Sequence, residues 1–86
     1  MNRKEYEKAS RHSMNNREAL ENDKQCGCYH CIAIFSPQEV IEWTDEGETA
    51  LCPHCEVDSI IGESSGYPIT GEFLQSMDNF AFGKGE

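Results

Sequence analysis

CYHC at residues 28–31 and CPHC at residues 52–55, separated by 20 residues, are two chelating pairs at ribbon spacing. A CxxC pair in a tight turn presents two sulfurs to one metal ion at about 2.3 Å each. Two such turns supply a closed tetrahedral site, so Cys28, Cys31, Cys52 and Cys55 are the candidate ligands. Four thiolates leave no position for a coordinated water, which predicts a structural ion and not a catalytic one. Zinc tolerates this geometry and has no redox chemistry, so Zn2+ is the expected metal. Spacing does not separate it from iron, which sulfur tetrahedra also hold.

Two rival readings use the same cysteines. CPHC also occurs in thioredoxin-fold oxidants, where a helix N-terminus activates the leading thiol. No βαβ unit surrounds it here. Cys26-Gly27-Cys28 with Cys52 and Cys55 forms a CxC…CxxC set that resembles redox-switched zinc chaperones, in which oxidation releases the metal. Cys26 is therefore a replacement for Cys31, a thiol packed beside the site, or a reactive group near it. His30 and His54 lie inside the two knuckle turns. Their side chains are expected to point to solvent, with a His-for-Cys ligand exchange as the alternative.

The 86 residues carry 16 Asp+Glu against 7 Lys+Arg, a formal charge of −9, and 37% are hydrophobic. So short a chain buries too little surface to be stable without help. Large catalytic folds are excluded by length. No apolar run approaches the roughly 20 residues of a membrane span. MNRKEYEKAS at the start has no apolar h-region, so no secretory signal is expected. An odd cysteine count without a signal argues against a disulfide framework, and a cytoplasmic location with reduced thiols is the expectation.

Charge divides the chain. Residues 1–24 balance at +1, whereas residues 25–86 carry only Lys84 against eleven acids, a balance of −10. Such a surface repels a phosphate backbone, so nucleic acid is not an expected partner. It suits a basic protein partner or serves solubility.

The expected fold class is α+β: a small zinc-ribbon-like domain with short strands, flanked by N-terminal and C-terminal helices. Residues 1–24 form a helical segment, partly disordered unless it docks, and residues 25–86 form the ribbon with its C-terminal helix. Residues 3–11 and 16–24 are rich in helix formers, with Asn15 or Asn16 as a cap and Leu20 and Met14 as docking residues. Residues 32–35 read as a strand. Ser36, Pro37 and Glu39 read as a capping box opening a short helix with Val40, Ile41 and Trp43 on its apolar edge. Residues 44–47 form a turn, and residues 49–51 and 57–61 form strands. Thr70 caps a final helix whose apolar face is Phe73, Leu74, Met77, Phe80 and Ala81, and Gly83 ends it. Trp43 and Tyr67 are core or rim residues, or weaker candidates for partner contact.

The segment CGCYHCIAIFSPQEVIEWTDEGETALCPHCEVDSIIGESSGYPITGEFLQSM resembles a family of small bacterial proteins described as hypothetical cytoplasmic proteins. The likeness runs from about Lys8 to Phe82 and rests on particular residues. These are Cys26-Gly27-Cys28, Cys31, Phe35-Ser36-Pro37, Glu42-Trp43, Ala50-Leu51-Cys52-Pro53, Cys55, Asp58-Ser59 and Gly66-Tyr67-Pro68-Ile69-Thr70. Relatives end in a Trp-Phe-type pair where this chain has Ala81-Phe82. The resemblance implies a cytosolic zinc-ribbon-like protein and assigns no activity.

The functional expectation is a noncatalytic, acidic protein–protein interaction or regulatory module built on one Zn(Cys)4 site. The alternative is a redox- or metal-responsive regulator that uses Cys26. An enzyme built on Asp58-Ser59 and Glu42 with His30 or His54 matches no mechanism.

Overall fold

The computed structural model describes residues 2–83; Lys84, the one Lys or Arg of residues 25–86, lies outside the described residues. The elements are α1 (Arg3–Arg11), α2 (Arg17–Glu21), β1 (Cys26–Cys28), β2 (Ile34–Phe35), β3 (Trp43–Thr44), β4 (Thr49–Ala50), β5 (Ile60–Gly62) and α3 (Gly71–Phe82). Single 3-10 turns lie at Pro37–Glu39 and Glu63–Ser65. The chain is α+β, with β1 between β2 and β5 in one antiparallel sheet and β3–β4 as a separate hairpin.

The central strand, like β3, is one that sequence reading missed. Cys-Gly-Cys has weak strand propensity, and it becomes a strand only by pairing on both sides. Cys26 and Gly27 pair with Phe35 and Ile34, while Cys26, Gly27 and Cys28 pair with Gly62, Ile61 and Ile60. The two-residue period then sorts the side chains. Cys26, Cys28 and Ile60 pack on one face with Leu20, Phe35, Val40, Ala50 and Cys52. Ile61 packs on the other with Ala9, Tyr29, Phe73, Leu74 and Met77. Gly27 permits α3 to lie directly on the sheet, since a Cβ there would sit 2.7 Å from Leu74 Cδ1.

Several expected boundaries move, each for a tertiary reason. The strand expected over residues 32–35 keeps only Ile34–Phe35, because Ile32 turns left-handed (φ 68°) to close the first knuckle. The strand expected over residues 57–61 starts at Ile60 and runs to Gly62. The helix expected after Ser36 stops after one 3-10 turn. Ser36 Oγ accepts the Gln38 N–H at 3.2 Å, and Val40 is already extended. Val40 is drawn into the sulfur-side core and Trp43 pairs with Ala50, so the chain cannot continue as helix. Ile41 points away, 80% exposed. Glu39 faces His54 Nε2 at 3.8 Å instead of completing a capping box.

The N-terminal segment holds the two helices Arg3–Arg11 and Arg17–Glu21, and neither Asn15 nor Asn16 caps the second with its side chain. Asn15 is left-handed (φ 49°). Asn16, buried, spends its side chain on a tertiary clip. Its Nδ2 donates to Ile60 O at 2.9 Å and its Oδ1 accepts the Ala50 N–H at 3.1 Å, joining hairpin to sheet. The Arg17 N–H, at the start of α2, donates instead to Glu48 O at 3.1 Å. α2 ends at Glu21, short of the expected residue 24, because the next residues clasp the turn after β5. Glu63 Oε1 accepts the Lys24 and Gln25 N–H groups at 2.9 and 3.1 Å, and Asp23 Oδ2 accepts the Ser64 N–H at 3.2 Å. Leu20 docks fully, whereas Met14 is 52% exposed.

α3 matches its expected span. Thr70 Oγ1 accepts the Phe73 N–H at 3.1 Å, and Gly83 ends the helix left-handed at φ 70°. Phe73, Leu74 and Met77 are buried, but Ala81 is exposed, and Phe80 stacks on Tyr6 of α1 with centroids 5.4 Å apart.

Leu20→Ala should cost about 2–5 kcal/mol, as truncation of a fully buried leucine does. Met14→Ala should change stability by less than about 0.5 kcal/mol. Denaturant midpoints of the two metal-loaded variants measure the difference, and equal effects would contradict the docking of α2.

Candidate metal centre

The two knuckles are one turn built twice. In the first, the Cys28 N–H donates to Ala33 O and the Ile32 N–H to Cys28 O, both at 2.9 Å. In the second, the Cys52 N–H donates to Val57 O at 3.0 Å and the Glu56 N–H to Cys52 O at 2.8 Å. The residue after each second cysteine is left-handed, Ile32 at φ 68° and Glu56 at φ 67°. This conformation costs a non-glycine residue roughly 1–2 kcal/mol. Backbone N–H groups point at the leading sulfur of each turn: His30 N to Cys28 Sγ and His54 N to Cys52 Sγ, both 3.3 Å.

Pairing of β1 with β5, and of β3 with β4, brings the turns face to face. Cys28 Sγ lies 3.6 Å from Cys55 Sγ and Cys31 Sγ 3.7 Å from Cys52 Sγ. All four sulfurs fall within 4.8 Å of one another. An ideal tetrahedron with 2.3 Å metal–sulfur bonds has edges of about 3.8 Å, so the donors present fit a tetrahedral ion. Cys28, Cys31, Cys52 and Cys55 lie together and can bind a metal ion. Cys28 and Cys52 are buried, Cys55 is half-buried and Cys31 is exposed, so one edge of the group faces solvent.

The thiols are electrostatically unequal. Burial pushes Cys28 up, but hydrogen bonds from Ser59 and from the Cys31 and His30 N–H groups outweigh it and hold the thiol below its ordinary value. The Ser59 Oγ–Cys28 Sγ distance is 3.1 Å. Burial raises Cys52 and Cys55, and for Cys55 the Cys28 sulfur adds to the rise. One sulfur is thus poised to ionise first and two are reluctant, so metal binding must displace protons and weakens as pH falls.

Cys26 stands outside the group of four. It is fully buried on β1, and burial foremost, then Asp23 and Cys52, push its thiol up to about 12. His30 and His54 are also outside the group. The His30 ring packs edge-on against Phe82 at 4.6 Å, and its Nδ1 is buried without a hydrogen-bond partner among the described residues. His54 lies half-exposed against Phe35, centroids 5.2 Å apart. Ser59, for which the sequence suggested no part in the metal site, is buried and bonded to a sulfur. The signal that finds this role is strand register: pairing Cys28 with Ile60 puts Ser59 beside the thiol.

Trp43 and Tyr67 pack against different cores. Trp43 borders the sulfur-side cluster and carries the Arg17 guanidinium 4.7 Å above its ring. Tyr67 borders the helix-side cluster, stacked on Phe73 at 5.6 Å. No helix among the described residues is long and apolar enough to cross a membrane.

Glu56→Gly should stabilise the metal-loaded chain by about 1 kcal/mol in chemical denaturation, because Glu56 is exposed and only its backbone strain is relieved. Cys26 supplies a pH signature. The folded chain keeps this proton to about pH 12, whereas the unfolded chain releases it near the ordinary value of 9.0. Its contribution is therefore fully present below pH 9.0 and is lost as pH rises toward about 12. Cys26→Ala should flatten that part of the stability–pH curve; an unchanged slope would contradict the buried assignment.

Compared with protein-family models, curated proteins and solved structures, the chain matches none of them.

Proposed function

We propose that the four cysteines hold one zinc ion as a structural centre. On that centre the chain acts in the cytoplasm as a noncatalytic, acidic protein–protein interaction or regulatory module. The carrying observation is the sulfur tetrad, whose four donors would fill a tetrahedral ion and leave no place for a substrate or water. The formal charge of −9 supports a basic protein partner over nucleic acid. The Asp58-Ser59 pair does not support hydrolysis, because Ser59 is buried on a sulfur while Asp58 is exposed. The family resemblance agrees with this reading and adds no reaction.

The redox- or metal-responsive reading retains one favourable observation, the exposure of Cys31 at the edge of the tetrad. Cys26 does not favour it: a buried thiol that holds its proton is a poor nucleophile. Counting free thiols under peroxide decides this reading. Retention of the metal with all ligands protected removes it.

Elemental analysis of the purified protein should give one zinc per chain. Cys28→Ser or Cys52→Ser should abolish that content and Cys26→Ala should keep it. Exhaustive chelation should unfold the chain, since structural zinc supplies roughly 10–16 kcal/mol in small metal-dependent folds. Persistence of full near- and far-UV dichroism after chelation would refute the structural role. A pull-down should recover a partner at low salt that high salt releases; recovery of none at either salt would refute the interaction role.

A further inference from the structure

We propose that the groove between α2 and the Pro37–Glu39 turn binds an arginine side chain of a basic partner peptide. This locates the docking point of the acidic module and rests on that reading.

The groove holds about 380 Å³, within the 300–1,000 Å³ typical of ligand pockets. Its apolar lining is Leu20, Pro37 and Trp43. Leu20 and Pro37 are buried and already packed, so the accessible apolar surface is that of the half-buried Trp43. Two carboxylates, Glu21 and Asp23, and one cation, Lys24, stand around it. Asp23 uses Oδ2 on Ser64, and Glu21 uses Oε2 toward Arg17 at 3.5 Å. Among the described residues, Asp23 Oδ1 and Glu21 Oε1 have no hydrogen-bond or ion-pair partner.

The molecule already shows what this corner holds. Arg17 places its guanidinium 4.7 Å above the Trp43 ring while its Nε faces Glu21. Arg17 does not line the groove, so the indole surface there is surface that Arg17 leaves uncovered. A second guanidinium entering from outside meets the same pair of groups, an indole and a carboxylate. Its methylenes would lie in the groove beside Trp43, covering the stem while the head stays at the rim. Arginine fits better than lysine, because a planar, weakly hydrated fork stacks on an indole and bridges carboxylate oxygens. The chain's −9 charge favours the approach of a cationic segment.

The test titrates a capped tetra-arginine peptide into the metal-loaded full chain at about 20 and about 150 mM salt, conditions that change the screening length. Trp43, the single tryptophan, reports by its emission, and amide NMR shifts locate the site. Tetra-arginine should give a saturable change in Trp43 emission, with the largest shifts at residues 20–24 and 36–38. Capped tetra-lysine should bind more weakly. Glu21→Gln, at an exposed position, should weaken tetra-arginine binding by about threefold to fivefold. Shifts spread over Glu56 and Glu72 with Trp43 unmoved would overturn the groove and leave the acidic module standing. Equal binding of both peptides, insensitive to Glu21→Gln, would also overturn the groove. Absence of any binding at low salt would overturn the groove and the basic partner together.

Discussion

Four cysteine sulfurs sit within 4.8 Å of one another in a chain of 86 residues. Without a cation this arrangement is electrostatically awkward. Hydrogen bonds hold Cys28 low, while burial foremost, with the Cys28 sulfur adding to it, raises Cys52 and Cys55. A divalent ion reverses that sign by attracting all four thiolates at once. The knuckles prepare the site from the backbone side. Each turns N–H groups toward its leading sulfur, and each accepts a left-handed, non-glycine residue to do so. The strain at Ile32 and Glu56 is tolerated because the turn around it is fixed by hydrogen bonds on both sides.

The sheet transmits this geometry to the rest of the chain. β1 has the sulfur-side core on one face and α3 on the other, and Gly27 is the point of closest helix approach. The β3–β4 hairpin shares no strand pairing with that sheet. Asn16 joins the two, bonding Ala50 on one side and Ile60 on the other. The helical N-terminal segment therefore belongs to the construction of the ribbon. Each buried hydrogen bond of this clip replaces a desolvation cost, so its value lies mainly in what its absence would leave unpaired.

Charge and shape point the functional reading in one direction. The acidic excess disfavours a polyanion, and the sulfur tetrad can bind a metal ion. Trp43 and Tyr67, both candidates for partner contact, separate in space because they pack on opposite faces of the sheet. Tyr67 is stacked on Phe73 and its hydroxyl reaches Glu5 at 3.4 Å. Trp43 opens onto a groove, beside carboxylates.

The sequence by itself determined the four cysteines that cluster, the 44–47 turn, the span of α3 and the α+β class. These are written in local signals: cysteine spacing, a turn-forming cluster, Thr70 at one helix end and Gly83 at the other. Tertiary structure alone decided that Cys26-Gly27-Cys28 is the central strand, because three residues of low propensity extend only between two partners. It also decided that the segment after Ser36 abandons its helix, because Val40 and Trp43 gain more by burial and pairing than a short isolated helix returns. The roles of Asn16, Ser59 and Cys26 were hidden for the same reason. A cap, a nucleophile and a ligand look alike in one dimension, and only register shows that the asparagine spans strands, the serine bonds a sulfur and the extra thiol is sealed from water.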